Sequence, residues 1–361
     1  MTEPVSHLYE VHRMETPASQ WKQPEFELDK TGCPVWTLED EDGRRHRLYD
    51  GCRVTNATFR GFNLAGVRLQ SVSLSGVQLI GCRIANLEIQ DSHLTGIVLR
   101  SGQGGPVLKN CRIADMIVDG LGDHDAVLRF FGSELSRVVL TNLICGLDFA
   151  RSHGSSITLQ QSTVHGLFAV RSCDLSDVKI FETVVHDALI FRSTLTGSEI
   201  ARTQWKHGRL DSVDMSCSTI RETSFESLKI DKLSLDAASL DAVSFKGARA
   251  RQVSATHAEL ADVEIINGMF VGEFHDCSIR SMMFWKACLS ISMVNTVGVG
   301  MRVCDSLGCV SGRRSTWWRP VIRRSALCGN GDNLIAMRGA DITNTKVISE
   351  FATWLDIEEG E

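Results

Sequence analysis

The sequence of 361 residues predicts a solenoid, a fold in which short repeats stack along one axis. Three observations indicate it: large apolar residues recur every five positions, small residues precede them by two positions, and no proline occurs between Val107 and Arg319. This period fits neither a helix, which repeats after about 3.6 residues, nor the two-residue alternation of a strand. A unit with one large and one small inward residue buries its apolar face only by stacking on its neighbours.

The five-residue period runs in three stretches, and we call its large apolar positions centres. The second stretch has twenty centres, of which eighteen are large and apolar and two are Ala, so a chance pattern is excluded. The stretches run from Val54 to Leu99, from Leu175 to Phe270, and through Ile279, Phe284, Leu289, Val294, Val299 and Cys304.

The units Ala57-Thr58-Phe59-Arg60-Gly61, Cys173-Asp174-Leu175-Ser176-Asp177 and Ala340-Asp341-Ile342-Thr343-Asn344 show a small residue, a polar one, a large apolar one and two polar ones. This pattern resembles the pentapeptide repeat family over about residues 52–304. The chain resembles a degenerate member of that family, because Asp or Asn is rare at the second position of its five-residue unit. The resemblance implies an all-β fold, a right-handed quadrilateral β-helix with four five-residue sides per coil.

A coil of twenty residues stacks position i on position i+20, which predicts ladders of core side chains. One ladder holds Val185, Trp205, Phe225, Phe245 and Ile265, and the aliphatic ladder beside it holds Ile220. We interpret both ladders as core packing. Five of the twelve cysteines fall in the small inward slot and are interpreted as buried hydrophobes: Cys52, Cys82, Cys111, Cys173 and Cys277.

Composition shifts divide the chain into four parts. Residues 1–51 hold four of the six prolines and are predicted to form an N-terminal cap with a β-hairpin around Asp42-Gly43. Residues 52–310 form the β-helix, with insertions near 100–107 and 119–126. Residues 311–329 form a basic Trp/Arg loop. Residues 330–361 form the last coil and a C-terminal capping helix, in which Val347, Phe351, Trp354 and Leu355 follow helical spacing.

Charge and hydropathy exclude several classes of protein. Lys and Arg number 38 and Asp and Glu 44, a net charge of −6, which argues against a polybasic protein that binds nucleic acid directly. No stretch approaches the roughly 20 apolar residues of a membrane span. The segment from Met1 to Glu10 has no signal-peptide pattern, so we expect a cytoplasmic protein with no membrane partner.

Motifs of catalysis and cofactor binding are absent from the sequence. The glycines of 100–107 lack the order of a phosphate-binding loop, and no cysteine spacing matches a zinc template. Cys304, Cys309 and Cys328 are weak metal candidates, and Asp123-His124-Asp125 is the only dense titratable cluster. We interpret that cluster as a polar loop and predict no enzyme activity and no cofactor.

Two basic features are candidates for binding a partner. One side of the predicted rod carries six basic residues and two acids, Asp211 and Asp231, which could neutralise it. The basic residues are Lys232 and the five candidates for binding, Arg192, Arg209, Lys229, Arg249 and Arg251. The predicted loop at 311–329 holds Arg313, Arg314, Trp317, Trp318 and Arg319. Trp and Arg are frequent in interface hot spots, although a solvated loop whose tryptophans fold back on the coil fits the same residues.

The sequence therefore predicts a non-enzymatic β-solenoid that docks a protein partner. The resemblance implies one alternative, a DNA mimic that binds DNA gyrase and protects against toxins or quinolones. A second alternative, of a different class, is a bacterial effector whose solenoid is a targeting module, which the basic Trp/Arg loop and the long N-terminal cap fit. The resemblance also implies a possible homodimer through the C-terminal end.

Overall fold

A computed structural model describes residues 21–313, 315–323, 325–328, 335–338, 341–343, 346–347 and 355–358. These residues form strands and turns and contain no helix, so within them no segment is a helix that could cross a membrane. Strands β1 to β3 make a small antiparallel sheet, and the remaining strands pair in parallel along one solenoid.

The strands of the N-terminal sheet and of the first coils, β1 to β20 in chain order, are Glu25–Leu28, Pro34–Glu39, Arg45–Leu48, Arg53–Thr55, Thr58–Arg60, Arg68–Gln70, Ser73–Ser75, Gln78–Ile80, Glu88–Gln90, His93–Thr95, Val98–Arg100, Val107–Lys109, Arg112–Asp119, Gly122–Phe131, Glu134–Thr141, Ile144–Ala150, His153–Gln160, Thr163–Val164, Phe168–Arg171 and Asp174–Phe181.

The strands of the later coils, β21 to β41, are Val184–Thr194, Glu199–Ala201, Gln204–Asp214, Thr219–Ile230, Leu233–Ser234, Ser239–Lys246, Arg249–Thr256, Glu259–Ile266, Met269–His275, Ser278–Trp285, Cys288–Val294, Val297–Val299, Arg302–Cys304, Leu307–Arg313, Ser315–Trp318, Val321–Arg323, Ala326–Cys328, Ile335–Arg338, Asp341–Thr343, Lys346–Val347 and Leu355–Glu358.

A coil of twenty residues is the regular unit through the second stretch. Val185 lies opposite Trp205, Trp205 opposite Phe225, and Phe225 opposite Phe245 in successive parallel strands. Four units of five residues close each coil, so the solenoid has four walls. We number them by their centres in the coil that starts at Leu175: wall 1 at Leu175, wall 2 at Ile180, wall 3 at Val185 and wall 4 at Ile190.

The core fills the inside of the coils with one large and one small side chain per unit. Trp205, Ile220, Phe225 and Phe245 are buried there, and neighbouring rings contact one another, with the Phe225 and Phe245 rings stacked 5.1 Å apart. Buried hydroxyls at the small position bond to backbone carbonyls near the corners. Thr183 Oγ1, for example, donates to the carbonyl of Phe181 at 2.8 Å. These bonds satisfy buried hydroxyls of the small position, whereas Ser198 Oγ and Trp205 Nε1 are buried without a hydrogen-bond partner among the described residues.

Several coils depart from the twenty-residue length, with repeats of nineteen, twenty-one or twenty-two residues, and one of these departures contradicts the prediction. Residues 100–107 are not an insertion: Leu108 lies opposite Ile89, so this coil is one residue shorter than the regular one. A β carbon on Gly105 would lie 2.1 Å from the Val127 carbonyl oxygen, so glycine permits the close approach of the two coils. At 119–126 the chain does carry extra residues, because the register with β16 shifts between Gly122 and Val127.

The third stretch of the predicted period is wrong beyond Leu289. The register shifts between Ala250 and Val253, and the coils that follow repeat after nineteen residues. Met293, Gly298 and Val303 are therefore the inward positions. The predicted centres Val294, Val299 and Cys304 each lie one residue later, on the outer surface, because successive side chains of a strand point to opposite faces.

The N-terminal hairpin lies against the first coil. β2 and β3 flank the Asp42-Gly43 turn, in which the buried Asp40 carboxylate accepts the backbone N–H groups of Asp42 and Arg44 at 3.0 and 2.8 Å. The Glu41 N–H donates to the Thr58 carbonyl at 3.0 Å. The hairpin side chains Leu38 and Leu48 join the solenoid core, so this sheet covers the open end of the coils.

Two predictions for the C-terminal part need correction. Residues 311–329 are not a loop, because β34 to β37 continue the solenoid through them. The predicted C-terminal helix is not observed: Val347 lies in β40, which pairs with β37, and Leu355 lies in β41, which pairs with β38. Parallel pairing holds these residues in further coils. Phe351 and Trp354 lie outside the described residues.

Candidate functional site

The basic column on wall 4 is formed by side chains in register. Arg209 lies opposite Lys229, and Lys229 lies opposite Arg249, in successive strands that place them about 4.8 Å apart. All three side chains are exposed. The exposed Arg192 and Arg251 extend this surface, and we call the set of five basic residues the basic strip.

Carboxylates neutralise only one end of the basic strip. The Arg209 guanidinium contacts Asp211 at 2.9 Å and Asp231 at 2.7 Å. Asp231 lies 3.9 Å from Arg251, too far for a strong pair. Within the described residues, Lys229 and Arg249 have no carboxylate within ion-pair distance. Asp211 and Asp231 therefore neutralise Arg209, as one of the sequence-based interpretations expected. Lys229 and Arg249, which are adjacent, are left available to an acidic partner.

The tryptophans of the predicted loop have opposite environments. Trp317 points inward and is fully buried, with its Nε1 donating to Met293 Sδ at 3.3 Å. Trp318 points outward and is 43% exposed, and Arg319 lies exposed at the following corner. Arg313 ends β34, with a side chain that is not described, and Arg314 lies outside the described residues. Of this group, the described surface contains Trp318 and Arg319.

A stack of three histidines is the densest titratable group near wall 3, and the sequence reasoning found only one of them. The ring of His165 lies 4.9 Å from that of His124 and 4.8 Å from that of His186, almost parallel to the latter. Burial, then the neighbouring His186 and His124, lowers the pKa of His165 below its ordinary value. The twenty-residue spacing could not reveal the stack, because the insertion at 119–126 brings His124 to it.

Burial makes most of the cysteine thiols unreactive. The five cysteines of the small inward slot are all buried, as predicted. Burial raises the pKa of Cys111 to about 11 and that of Cys145 to about 12, so both thiols stay protonated at neutral pH. Cys309 is exposed on wall 4 and disulfide-bonded, and the register places Cys328 opposite it on the next strand.

Metal binding finds no support in the described part of the chain, where no group of three or more His, Cys, Asp or Glu side chains could hold an ion. Asp123 accepts the backbone N–H of Asp125 at 3.1 Å, which is a turn contact. The polar-loop interpretation of this cluster accounts for that bond.

Comparison with known proteins gives a family match near the start of the solenoid. The model described as pentapeptide repeats (8 copies) matches residues 50–84. No curated protein matches the chain.

Solved structures with a similar fold include a trypsin-treated QnrB1, described as a plasmid-mediated fluoroquinolone resistance protein, with 12% identity over 59% of this chain and 79% of that one and a TM-score of 0.24. HetL, a pentapeptide repeat protein involved in heterocyst differentiation regulation from the cyanobacterium Nostoc sp., has 15% identity over 62% of this chain and 86% of that one, with a TM-score of 0.19. An alginate lyase bound to a trisaccharide has 11% identity over 86% and 83% of the chains, with a TM-score of 0.30.

Proposed function

Because the chain belongs to the pentapeptide repeat family, we propose that it is a non-catalytic scaffold that docks an acidic protein partner along wall 4. The observation that carries this proposal is the adjacent pair Lys229 and Arg249, exposed and without a carboxylate partner among the described residues. Two cations held about 4.8 Å apart repel each other. A carboxylate of an acidic partner, placed between the two cations, relieves this repulsion and is attracted by both charges.

The shape of the wall also supports docking. The basic strip lies on a parallel sheet that fixes the backbone positions of its residues, so binding orders their side chains but no main chain. A wall inside a solenoid has its backbone hydrogen bonds already made. A partner therefore contacts the side chains rather than adding a strand.

The DNA-mimic role is the second candidate, and it requires accessible acids on wall 1. Asp174 and Asp177 are exposed there. Asp214 and Asp236 are only half-buried, but they accept the backbone N–H groups of Ser216 and Thr256 at 2.9 Å each. These two acids therefore hold corners of the coil, and the wall offers fewer unengaged charges than the sequence predicts.

The experiment is affinity capture from a lysate of the source cells, followed by mass spectrometry. Wild type is compared with the double variant Lys229→Glu/Arg249→Glu and with a matched control, Arg221→Glu/Lys246→Glu. The control reverses two exposed cations on walls 2 and 3 that have no ion pair within the described residues.

We expect one partner to be retained by the control and lost from the double variant, because charge reversal makes the strip repel an acidic surface. Retention by both variants would contradict docking on wall 4. Gyrase retained by both would favour the DNA-mimic role.

A further inference from the structure

The later described coils carry large apolar side chains on the outside of walls 2 and 3. Trp318 is 43% exposed, Val299 46% and Trp285 42%. Val299 lies opposite Trp318 in the next strand, and Arg280 lies opposite Val299 on the other side. These three residues make one column on wall 2, with steps of about 4.8 Å.

Arginines surround this apolar surface. Arg302 and Arg323 are exposed on wall 3, where Arg323 lies in the column of Trp285, two strands further along, and Arg302 lies in the column beside it. Arg319 lies at the corner between the two walls. We call the surface the Arg/Trp patch: Arg280, Trp285, Val299, Arg302, Trp318, Arg319 and Arg323.

The patch is held rigidly from inside. Trp317, the neighbour of Trp318, is buried over Gly298, where an added β carbon would lie 3.2 Å from the Trp317 ring. Trp285 Nε1 donates to Asp305 at 3.2 Å, and the Lys286 ammonium lies 5.3 Å from the centre of its ring. The two exposed tryptophans thus have fixed surroundings, which lowers the entropy cost of binding.

Within the described residues, carboxylates contact part of the patch and leave Arg302 and Arg319 unpaired. Asp262 lies 3.9 Å from Arg280, and Asp305 accepts from Trp285. Arg302 and Arg319 have no carboxylate within 4.0 Å in the part of the chain that the structure describes. A ligand with carboxylates is therefore complementary to the patch.

We propose that the Arg/Trp patch is a second docking surface, which binds an acidic protein segment that carries an aromatic or aliphatic side chain. The carboxylates of the segment pair with Arg302 and Arg319, and its apolar side chain covers Val299 and Trp318. Arg and Trp are the residues most enriched in interface hot spots. The patch lies on walls 2 and 3, so it is separate from the basic strip on wall 4.

The exposure of the tryptophans distinguishes this ligand from others. More than half of the surface of Trp285 and of Trp318 is covered by the surrounding protein. Insertion into a bilayer or stacking between bases needs a side chain that projects further from the wall. A protein segment that lies along the wall contacts the part that remains exposed.

The test is selection of random peptides displayed on phage against the immobilised protein, followed by fluorescence anisotropy with the selected peptides. We expect these peptides to combine Asp or Glu with Trp, Phe or Leu. Trp318→Ala and Arg302→Glu should each weaken binding at least about tenfold, and Trp318→Phe should restore most of the affinity.

Two controls separate this surface from other effects. Phe131→Ala removes an aromatic ring that is 40% exposed in an earlier coil, and it should leave the affinity unchanged. Lys229→Glu/Arg249→Glu should also leave it unchanged, so failure of the basic strip and failure of the patch are distinguishable. Circular dichroism melts confirm that each variant is folded.

Three outcomes would overturn the proposal. They are selection of peptides without acidic residues, equal binding of the selected peptides to Trp318→Ala, and failure to select any peptide. Binding of a single-stranded oligonucleotide or of phosphatidylserine vesicles that depends on Trp318, with no peptide selected, would assign the patch to that ligand instead.

Discussion

Most corners of the coils place a residue in the left-handed region of backbone conformation, although Lys232 and Gln252 do not. In the first stretch this residue comes two positions after every centre, with φ between 49° and 74°. Gly, Asn, Asp and Ser occupy these positions: Asn56, Gly61, Gly66, Ser71, Gly76, Gly81, Asn86, Asp91, Gly96 and Ser101. Gly, Asn and Asp hold eight of these ten positions and adopt this conformation more readily than other residue types. The sequence therefore contains a signal for the corners that our sequence analysis did not use.

Replacement of Gly105 by Ala should destabilise the protein by about 1–3 kcal/mol, because the new β carbon would overlap the Val127 carbonyl of the neighbouring coil. Urea denaturation followed by circular dichroism measures this loss. The matched control is Gly122→Ala, since a β carbon there meets nothing within 4 Å. Equal midpoints for both variants would show that the two coils do not approach at Gly105.

Replacement of Ile220 by Asp should cost several kcal/mol, because the residue is 2% exposed and its new carboxylate would have no partner in an apolar core. The neighbouring Arg221 is exposed and provides the control Arg221→Asp. Thermal melts should show a large loss for the first variant only. An unchanged melt for Ile220→Asp would mean that this position does not point into the core.

At the scale of the single coil, the predictable part of the fold is the part with a constant repeat. The register from Leu175 to Phe270 follows from the period of five, because each unit there has the same length. Coils of other lengths are not predictable in this way. The insertion near Gly122 and the unit from Phe270 to Phe274, which has four residues where its partner from Ala250 to Ala255 has five, interrupt the period. The period alone therefore misplaced Val294, Val299 and Cys304.

The candidate surfaces differ in the same way, because only one of them lies in coils of constant length. The basic column was predictable because Arg209, Lys229 and Arg249 repeat at twenty. The Arg/Trp patch combines nineteen-residue spacings across two walls, and the histidine stack depends on an insertion. Neither could be found before the coil lengths were known.

The histidine stack should make the stability of the coils around wall 3 depend on pH. The lowered pKa of His165 means that the unfolded chain binds more protons than the folded one below about 6.5, so stability should fall as the pH falls through that value. Charged groups near the stack are Asp123 and Asp125 on the insertion, Asp187 beside His186, and Lys206 on the next strand. Protonated rings add to the charge of Lys206.

Thermal melts between pH 7 and pH 5 check this dependence. His165→Gln should show a smaller loss of melting temperature on acidification than wild type, because it removes the histidine between the other two rings. His93→Gln, which removes an exposed histidine from β10, should behave like wild type. Identical pH profiles for wild type and His165→Gln would contradict the linkage.

At the scale of the whole molecule, the four walls are chemically different surfaces on one rigid frame. Wall 4 carries Lys229 and Arg249, which no described carboxylate neutralises, and wall 1 uses Asp214 and Asp236 to hold its corners. Walls 2 and 3 carry the Arg/Trp patch in later coils. The core is continuous beneath all of them. On such a frame, only the side chains that point outward contact a partner. For this reason we propose a docking scaffold.

Photo-crosslinking in the source cells tests docking on wall 4 most directly. A benzophenone side chain is placed at the exposed Gln252, beside Arg251 of the basic strip, or at the exposed Asp241 on wall 2. We predict a crosslinked partner from position 252 that disappears when Lys229→Glu/Arg249→Glu is added, and none of it from position 241. A partner crosslinked only from position 241, or no crosslink from position 252, would contradict docking on wall 4.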